Sequence, residues 1–142
     1  MKILILNGPN LNLLGKRELD IYGSETIDDL ITSLQRLYPD VNIEYYQSNV
    51  EGALIDKLHE VGFTYNGIVF NPGGYTHTSV SIRDAIAGIS TPVIEVHISN
   101  IYARESFRQV SLTAASCKGV ISGLGISGYH LAVKYLVSSK FV

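Results

Sequence analysis

The sequence predicts an α/β fold: a flavodoxin-like three-layer sandwich built on a five-stranded parallel sheet of order 2-1-3-4-5. Three observations predict it. Five short runs rich in Ile and Val recur along the 142 residues, as strands covered on both faces require. Four segments between and after them carry apolar residues three and four apart, the period of an amphipathic helix. The polar, glycine-containing clusters begin where those runs end, as expected at the turns of βαβ units.

The first run covers residues 3–6. The first helix is expected over 26–38, with Ile27, Leu30, Ile31, Leu34 and Leu37 on one face, Ser24 as a plausible N-cap and Pro39 as its stop. A second run follows at 41–46, then a helix over 50–61 that aligns Leu54, Ile55, Leu58 and Val61. Ser48 or Asn49 can cap it, and Gly62 suits its C-terminal turn. The third run is 68–70, and the third helix, over 79–87, carries Val80, Ile82, Ala85 and Ile86. Runs at 93–96 and 120–121 and a last helix over 128–137 complete the set. Stretches 8–23 and 98–118 show no regular period. Irregular stretches of that length are often lids or binding loops. No repeat, linker or low-complexity segment divides the chain, so one catalytic domain spanning 1–142 is expected.

Composition narrows the function. Apolar residues make up 46% of the chain and charged residues 17%. That low charged share hints at apolar surface in subunit contacts. The formal charge is −2 and no basic run exists, which argues against a nucleic-acid surface. The single cysteine, Cys117, allows neither an internal disulfide nor a Cys-rich zinc site, and fits a reducing cytoplasm. No apolar stretch approaches the ~20 residues of a membrane span, and the apolar start breaks at Asn7, too early for a secretory leader. A cytoplasmic protein without membrane attachment is expected.

The polar clusters carry the functional signal. Asn7-Gly8-Pro9-Asn10 follows the first run, Asn71-Pro72-Gly73-Gly74-Tyr75-Thr76-His77-Thr78-Ser79 the third, and Glu95-Val96-His97-Ile98-Ser99-Asn100 closes the fourth. With order 2-1-3-4-5 those strands are neighbours, and ligands of open α/β sheets bind outside the carboxyl edge where the strand order reverses. Each cluster alone has a plainer reading. The first is a possible turn. The second is a possible loop and helix cap, although its backbone N–H groups also make an anion site. His97 could be a core histidine bonded to Glu95, two residues away on the same strand face. That pairing is also what orients a catalytic imidazole. Convergence of all three favours a site. Arg17 and Tyr22 in the first loop read singly as a solvated charge and a packing anchor, Arg104, Glu105 and Arg108 as an exposed helical face, and Arg83 and Asp84 as surface charges.

Two motifs are set aside. Gly123-Leu124-Gly125-Ile126-Ser127-Gly128 fits the G-x-G-x-x-G pattern, but no Asp or Glu follows it to meet a ribose. His59, His77, His97 and His130 have no ligand spacing, so no metal or cofactor is expected.

Taken together, Asn7-Gly8-Pro9-Asn10-Leu11, Arg17-Glu18, Ile21-Tyr22-Gly23, the 71–79 and 95–100 clusters, Arg104-Glu105, Phe107-Arg108, Gly123-Leu124-Gly125 and Gly128-Tyr129 resemble the type II 3-dehydroquinate dehydratases, from residue 2 to about 136. Leu19, Ser106, Ala114 and Ala115 depart from the usual pattern at positions outside the chemistry. The resemblance implies elimination of water from 3-dehydroquinate to give 3-dehydroshikimate through an enolate. It implies Tyr22 as base in its phenolate form with Arg17 beside it and Arg108 as a second candidate cation, Asn10 holding a water against the enolate oxygen, and His97, oriented by Glu95, as the acid. It assigns Asn71, Gly73, Gly74, His77, Ile98, Ser99 and Arg108 to the substrate's hydroxyls and carboxylate. It also implies a homododecamer built from trimers, with Asp84 reaching a neighbouring subunit, and a loop over 8–23 that closes on the ligand. A phenol free in water ionises near pH 10, so a phenolate base at neutral pH needs a cation close by. Two rivals remain: a flavodoxin-like module that binds flavin or phosphate without catalysis, and a Schiff-base enzyme using Lys16.

Overall fold

The computed structural model describes residues 1–16 and 18–139. Its five parallel strands are β1 (Lys2–Asn7), β2 (Asn42–Gln47), β3 (Gly67–Asn71), β4 (Val93–His97) and β5 (Gly119–Ser122). They pair in the order β2-β1-β3-β4-β5, as expected. Strands β3 and β4 are buried throughout and β1 beyond Lys2. The edge strands differ from expectation: β2 and β5 are mostly half-buried, because each has a neighbour on one side only.

Around the sheet stand α1 (Leu19–Tyr22), α2 (Ile27–Leu37), α3 (Glu51–Val61), α4 (Val80–Ala87) and α5 (Ser127–Ser138). Side chains alternate across a strand. Ile3, Ile5, Val69, Ile94 and Val96 therefore join Leu30 and Leu34 of α2 and Tyr129, Ala132, Val133 and Leu136 of α5 in one apolar layer. Leu4, Leu6, Ile68, Phe70 and Val93 join Leu54, Leu58 and Val61 of α3 and Ile82, Ala85 and Ile86 of α4 in the other. Each such large side chain taken from water contributes about 1.5–3 kcal/mol before entropy is counted.

Several local expectations are corrected. The cap of α2 is Thr26, not Ser24: its hydroxyl accepts from Asp29 N–H while the Asp29 carboxylate accepts from Thr26 N–H, a reciprocal box. Leu37 points outward at 61% exposure, since α2 ends before the core can cover it. Helix α3 has no side-chain cap. Ser48 Oγ instead accepts from Val50 N–H, one residue before the helix starts. Gly62 keeps a right-handed backbone and is needed for space, because a Cβ there would lie 2.3 Å from Ile89 Cγ2. The two stretches without period are not structureless: the first contains a 3-10 turn at Leu11–Leu13 and then α1, the second 3-10 turns at Ile101–Ala103, Ser106–Arg108 and Ala114–Ser116. Among the described residues no helix is long and apolar enough to cross a membrane.

Candidate active site

Every strand ends in a polar residue at its carboxyl edge: Asn7, Gln47, Asn71, His97 and Ser122. Register sets Asn7 beside both Gln47 and Asn71, and His97 beside Ser122. The loops that follow are fastened to one another. Gly8 N–H donates to Asn71 O at 2.8 Å, and Gln47 Nε2 donates to Gly8 O and Asn49 Oδ1. A Cβ on Gly8 would stand 2.4 Å from Pro72 O, and Gly73 adopts a left-handed φ of 62° against Pro9. Only glycine lets these two loops lie so close. The Gly8→Ala variant is expected to lose about 1–3 kcal/mol, because the clash is with rigid backbone, read as a lower urea midpoint with an unchanged slope.

The clusters after β1, β3 and β4 do converge. They border one cleft of about 200 Å³, lined by Asn10, Tyr22, Asn71, Gly73, Gly74, His77, His97, Ile98, Ser99 and Arg108, with Pro9, Leu11, Glu18, Ile101 and Arg104 completing its wall. Among the described residues no three His, Cys, Asp or Glu side chains are grouped as metal ligands.

Two acid–base groups face this space. Tyr22 closes α1, half-buried and packed against the core. Arg104 Nη1 donates to its hydroxyl oxygen at 3.0 Å, and the guanidinium carbon lies 5.7 Å from the ring centre. Arg104 was expected on an exposed helical face. Instead it follows a 3-10 turn, and its guanidinium is held against Tyr22 and Ser99. Arg108, expected to contact a carboxylate, lines the same cleft and pairs with Glu105 at 2.8 Å. Arg17 lies outside the described residues.

His97, 5% exposed, places Nε2 2.8 Å from Oε2 of the fully buried Glu95. Burial alone would push the Glu95 carboxyl up. Hydrogen bonds from His97, Thr113 and Ser111 outweigh it and hold the group below the usual carboxylate range. An ionised carboxylate can only accept, so Nε2 carries a hydrogen and Nδ1 is the nitrogen left for a ligand. His77 is fixed in the opposite sense. Its Nδ1 lies 2.8 Å from Val110 O, an acceptor, so its Nε2 is the free nitrogen.

Asn71 reaches the cleft but is also a brace. Its Nδ2 donates to Tyr129 Oη at 3.1 Å and its Oδ1 accepts from Gly73 N–H at 3.1 Å. The Tyr129 hydroxyl in turn donates to Asn7 Oδ1 at 2.8 Å. Burial pushes the Tyr129 phenol up, which keeps it a neutral donor. Asn10 sits in a left-handed conformation, tolerable for asparagine, with its N–H donating to Asn49 Oδ1 at 3.0 Å. Asp84 lies on the exposed face of α4 and does not border the cleft of its own chain. Sequence reasoning missed the places of Arg104, Ser111 and Thr113. Their one signal was position on a long stretch that had to cross the carboxyl edge.

Comparison with known proteins adds independent support. The sequence model of the family described as dehydroquinase class II matches residues 1–137. A 3-dehydroquinate dehydratase of Bacillus pumilus (strain SAFR-032) is 57% identical over 137 residues, 95% of this chain and 93% of that one. The crystal structure of type II dehydroquinase from Butyrivibrio crossotus DSM 2876 superposes with a TM-score of 0.92 at 50% identity, covering 96% of this chain and 97% of that one. The type II dehydroquinase from Propionibacterium acnes superposes at 0.89 with 40% identity, covering 96% of each.

Proposed function

The chain belongs to the class II dehydroquinase family, and from that premise we propose how its cleft eliminates water from 3-dehydroquinate to give 3-dehydroshikimate. The protein is a hydro-lyase, and the reading as a flavin- or phosphate-binding module without catalysis is not favoured. One observation carries the mechanism: a phenol held by a guanidinium and an imidazole held by a carboxylate border the same small cleft.

Tyr22 is the base. The Arg104 bond to its oxygen stabilises the negative phenolate, which takes a proton from the carbon beside the ketone and becomes the neutral phenol. Arg17, five residues earlier in the sequence, is a further cation for this role. The electron pair moves onto the ketone oxygen, where Asn10 holds a water that stabilises the enolate. As the enolate collapses, the hydroxyl on the next carbon leaves with a proton from His97 Nδ1, while Glu95 keeps the resulting imidazole in its Nε2–H form. Arg108 takes the carboxylate with its planar fork. Asn71, His77 and the backbone at Gly73, Gly74, Ile98 and Ser99 take the hydroxyls.

The further assignments rest on the family alone. Residues 1–142 act as one catalytic domain in the cytoplasm. The protein assembles as a homododecamer, a tetramer of trimers, in which Asp84, exposed here, meets a neighbouring subunit's site. No cofactor takes part, and no Lys16 imine forms.

Mixing the protein with 3-dehydroquinate, with neither metal nor cofactor added, is expected to raise the ultraviolet absorbance of a conjugated enone. Borohydride added during turnover should leave activity intact. A folded protein that produces no enone, or one that borohydride inactivates only with substrate present, would overturn the proposal.

A further inference from the structure

The carboxylate behind His97 is addressed by more than His97. Glu95 is fully buried at the middle of β4, on the same strand face as His97. Its Oε2 accepts from His97 Nε2 and from Ser111 Oγ, each at 2.8 Å. Its Oε1 accepts from Thr113 Oγ1. Thr113 is fully buried and Ser111 half-buried, and neither borders the cleft. A hydroxyl has one hydrogen to give. With both given to Glu95, the 3.3 Å approach of Ser111 Oγ to Thr113 Oγ1 is only a contact. The remaining polar hydrogen close by, on Cys117, goes to Thr113 O. That thiol is pushed up to about 12 by burial and by the Glu95 charge, so it brings no second negative charge.

These hydroxyls are themselves fixed. Ser111 Oγ accepts from Ala114 N–H at 3.0 Å. Leu112 N–H donates to Thr76 O at 2.8 Å, and Val110 O accepts from His77. Residues 110–114 are therefore pinned to the 71–79 loop on one side and to Glu95 on the other. With Thr113 on Oε1 and Ser111 on Oε2, both carboxylate oxygens are held, which fixes the orientation in which Oε2 meets the imidazole.

We propose that Ser111 and Thr113 are positioning residues for the elimination step: through the Glu95 carboxylate they hold the His97 Nε2–H in place, so that Nδ1 is the nitrogen that takes up a proton and gives it to the departing hydroxyl. Neither touches substrate. The inference rests on His97 being the acid and adds to that reading the part of the chain that sets its tautomer.

The test uses the full-length enzyme with ¹⁵N-labelled histidine. Imidazole ¹⁵N shifts distinguish a protonated nitrogen from a bare one, and the His97 signals are identified by their loss in His97→Asn. With the imidazole in its neutral form, the unmodified enzyme is expected to show His97 almost wholly as Nε2–H. In Thr113→Val and in Ser111→Ala the Nδ1–H form should appear alongside it, and kcat should fall about ten- to a hundredfold, the usual loss when a group behind an active residue is removed, with KM little changed. Thr113→Ser, which keeps the hydroxyl, should restore both readouts. Should Thr113→Val fail to fold, Ser111→Ala, altered at a half-buried site, decides alone. A pure Nε2–H tautomer with unmodified kcat in the folded variants would overturn the proposal, as would a lowered thermal midpoint with neither readout moved. The tautomer is read without turnover, so an error in the acid assignment would surface separately, as full activity in His97→Ala.

Discussion

The Tyr22→Phe enzyme is expected to keep its fold and its KM and to lose about three to four orders of magnitude in kcat, within the range for removing a positioned base. The ring of Tyr22 packs against the core, and phenylalanine fills the same space. What disappears is the oxygen that accepts from Arg104 at 3.0 Å. The guanidinium keeps its contact with Ser99 and its place beside Glu105, so the cleft retains its charge. A drop confined to kcat marks an interaction made in the transition state, whereas a rise in KM alone would mark simple binding. Steady-state kinetics by enone absorbance, with circular dichroism as the control for folding, separate these outcomes.

The His97→Ala enzyme is expected to lose roughly a thousandfold in kcat, and here stability falls as well. Removing the imidazole takes one of three donors from a carboxylate that has no access to water. A buried acceptor losing a partner costs about 1–3 kcal/mol. Ser111 and Thr113 still donate, so the protein should fold with a lower urea midpoint rather than collapse. Unchanged turnover in a folded His97→Ala enzyme would remove the acid from the mechanism.

How much of this was legible in the residues depends on what kind of pattern each feature leaves. The strand runs were readable because a sheet covered on both faces needs Ile and Val at successive positions, and β1, β3 and β4 have them. Strand order then followed, and with it the meeting of Asn10, Asn71 and His97 at one edge. The Glu95–His97 pair was readable because residues two apart on a strand share a face. Arg104 was not readable. Short 3-10 turns carry no apolar period, so nothing in the stretch after β4 distinguishes a guanidinium turned inward from one in water. Thr113 was hidden for the opposite reason: an isolated threonine among small residues has no signature, and its buried hydroxyl matters only once Glu95 is placed beside it. Thr26 displaced Ser24 as cap because only Thr26 has Asp29 three residues on to complete the box.

The division of labour between phenol and imidazole is tested most directly by solvent exchange. The unmodified, His97→Ala and Tyr22→Phe enzymes can each be incubated with 3-dehydroquinate in D₂O and the recovered substrate read by proton NMR for deuterium at the carbon beside the ketone. If Tyr22 removes that proton and His97 serves only the departing hydroxyl, His97→Ala should exchange the proton well above the rate without enzyme while forming almost no enone, and Tyr22→Phe should do neither. Exchange that survives in Tyr22→Phe would contradict the assignment of the base.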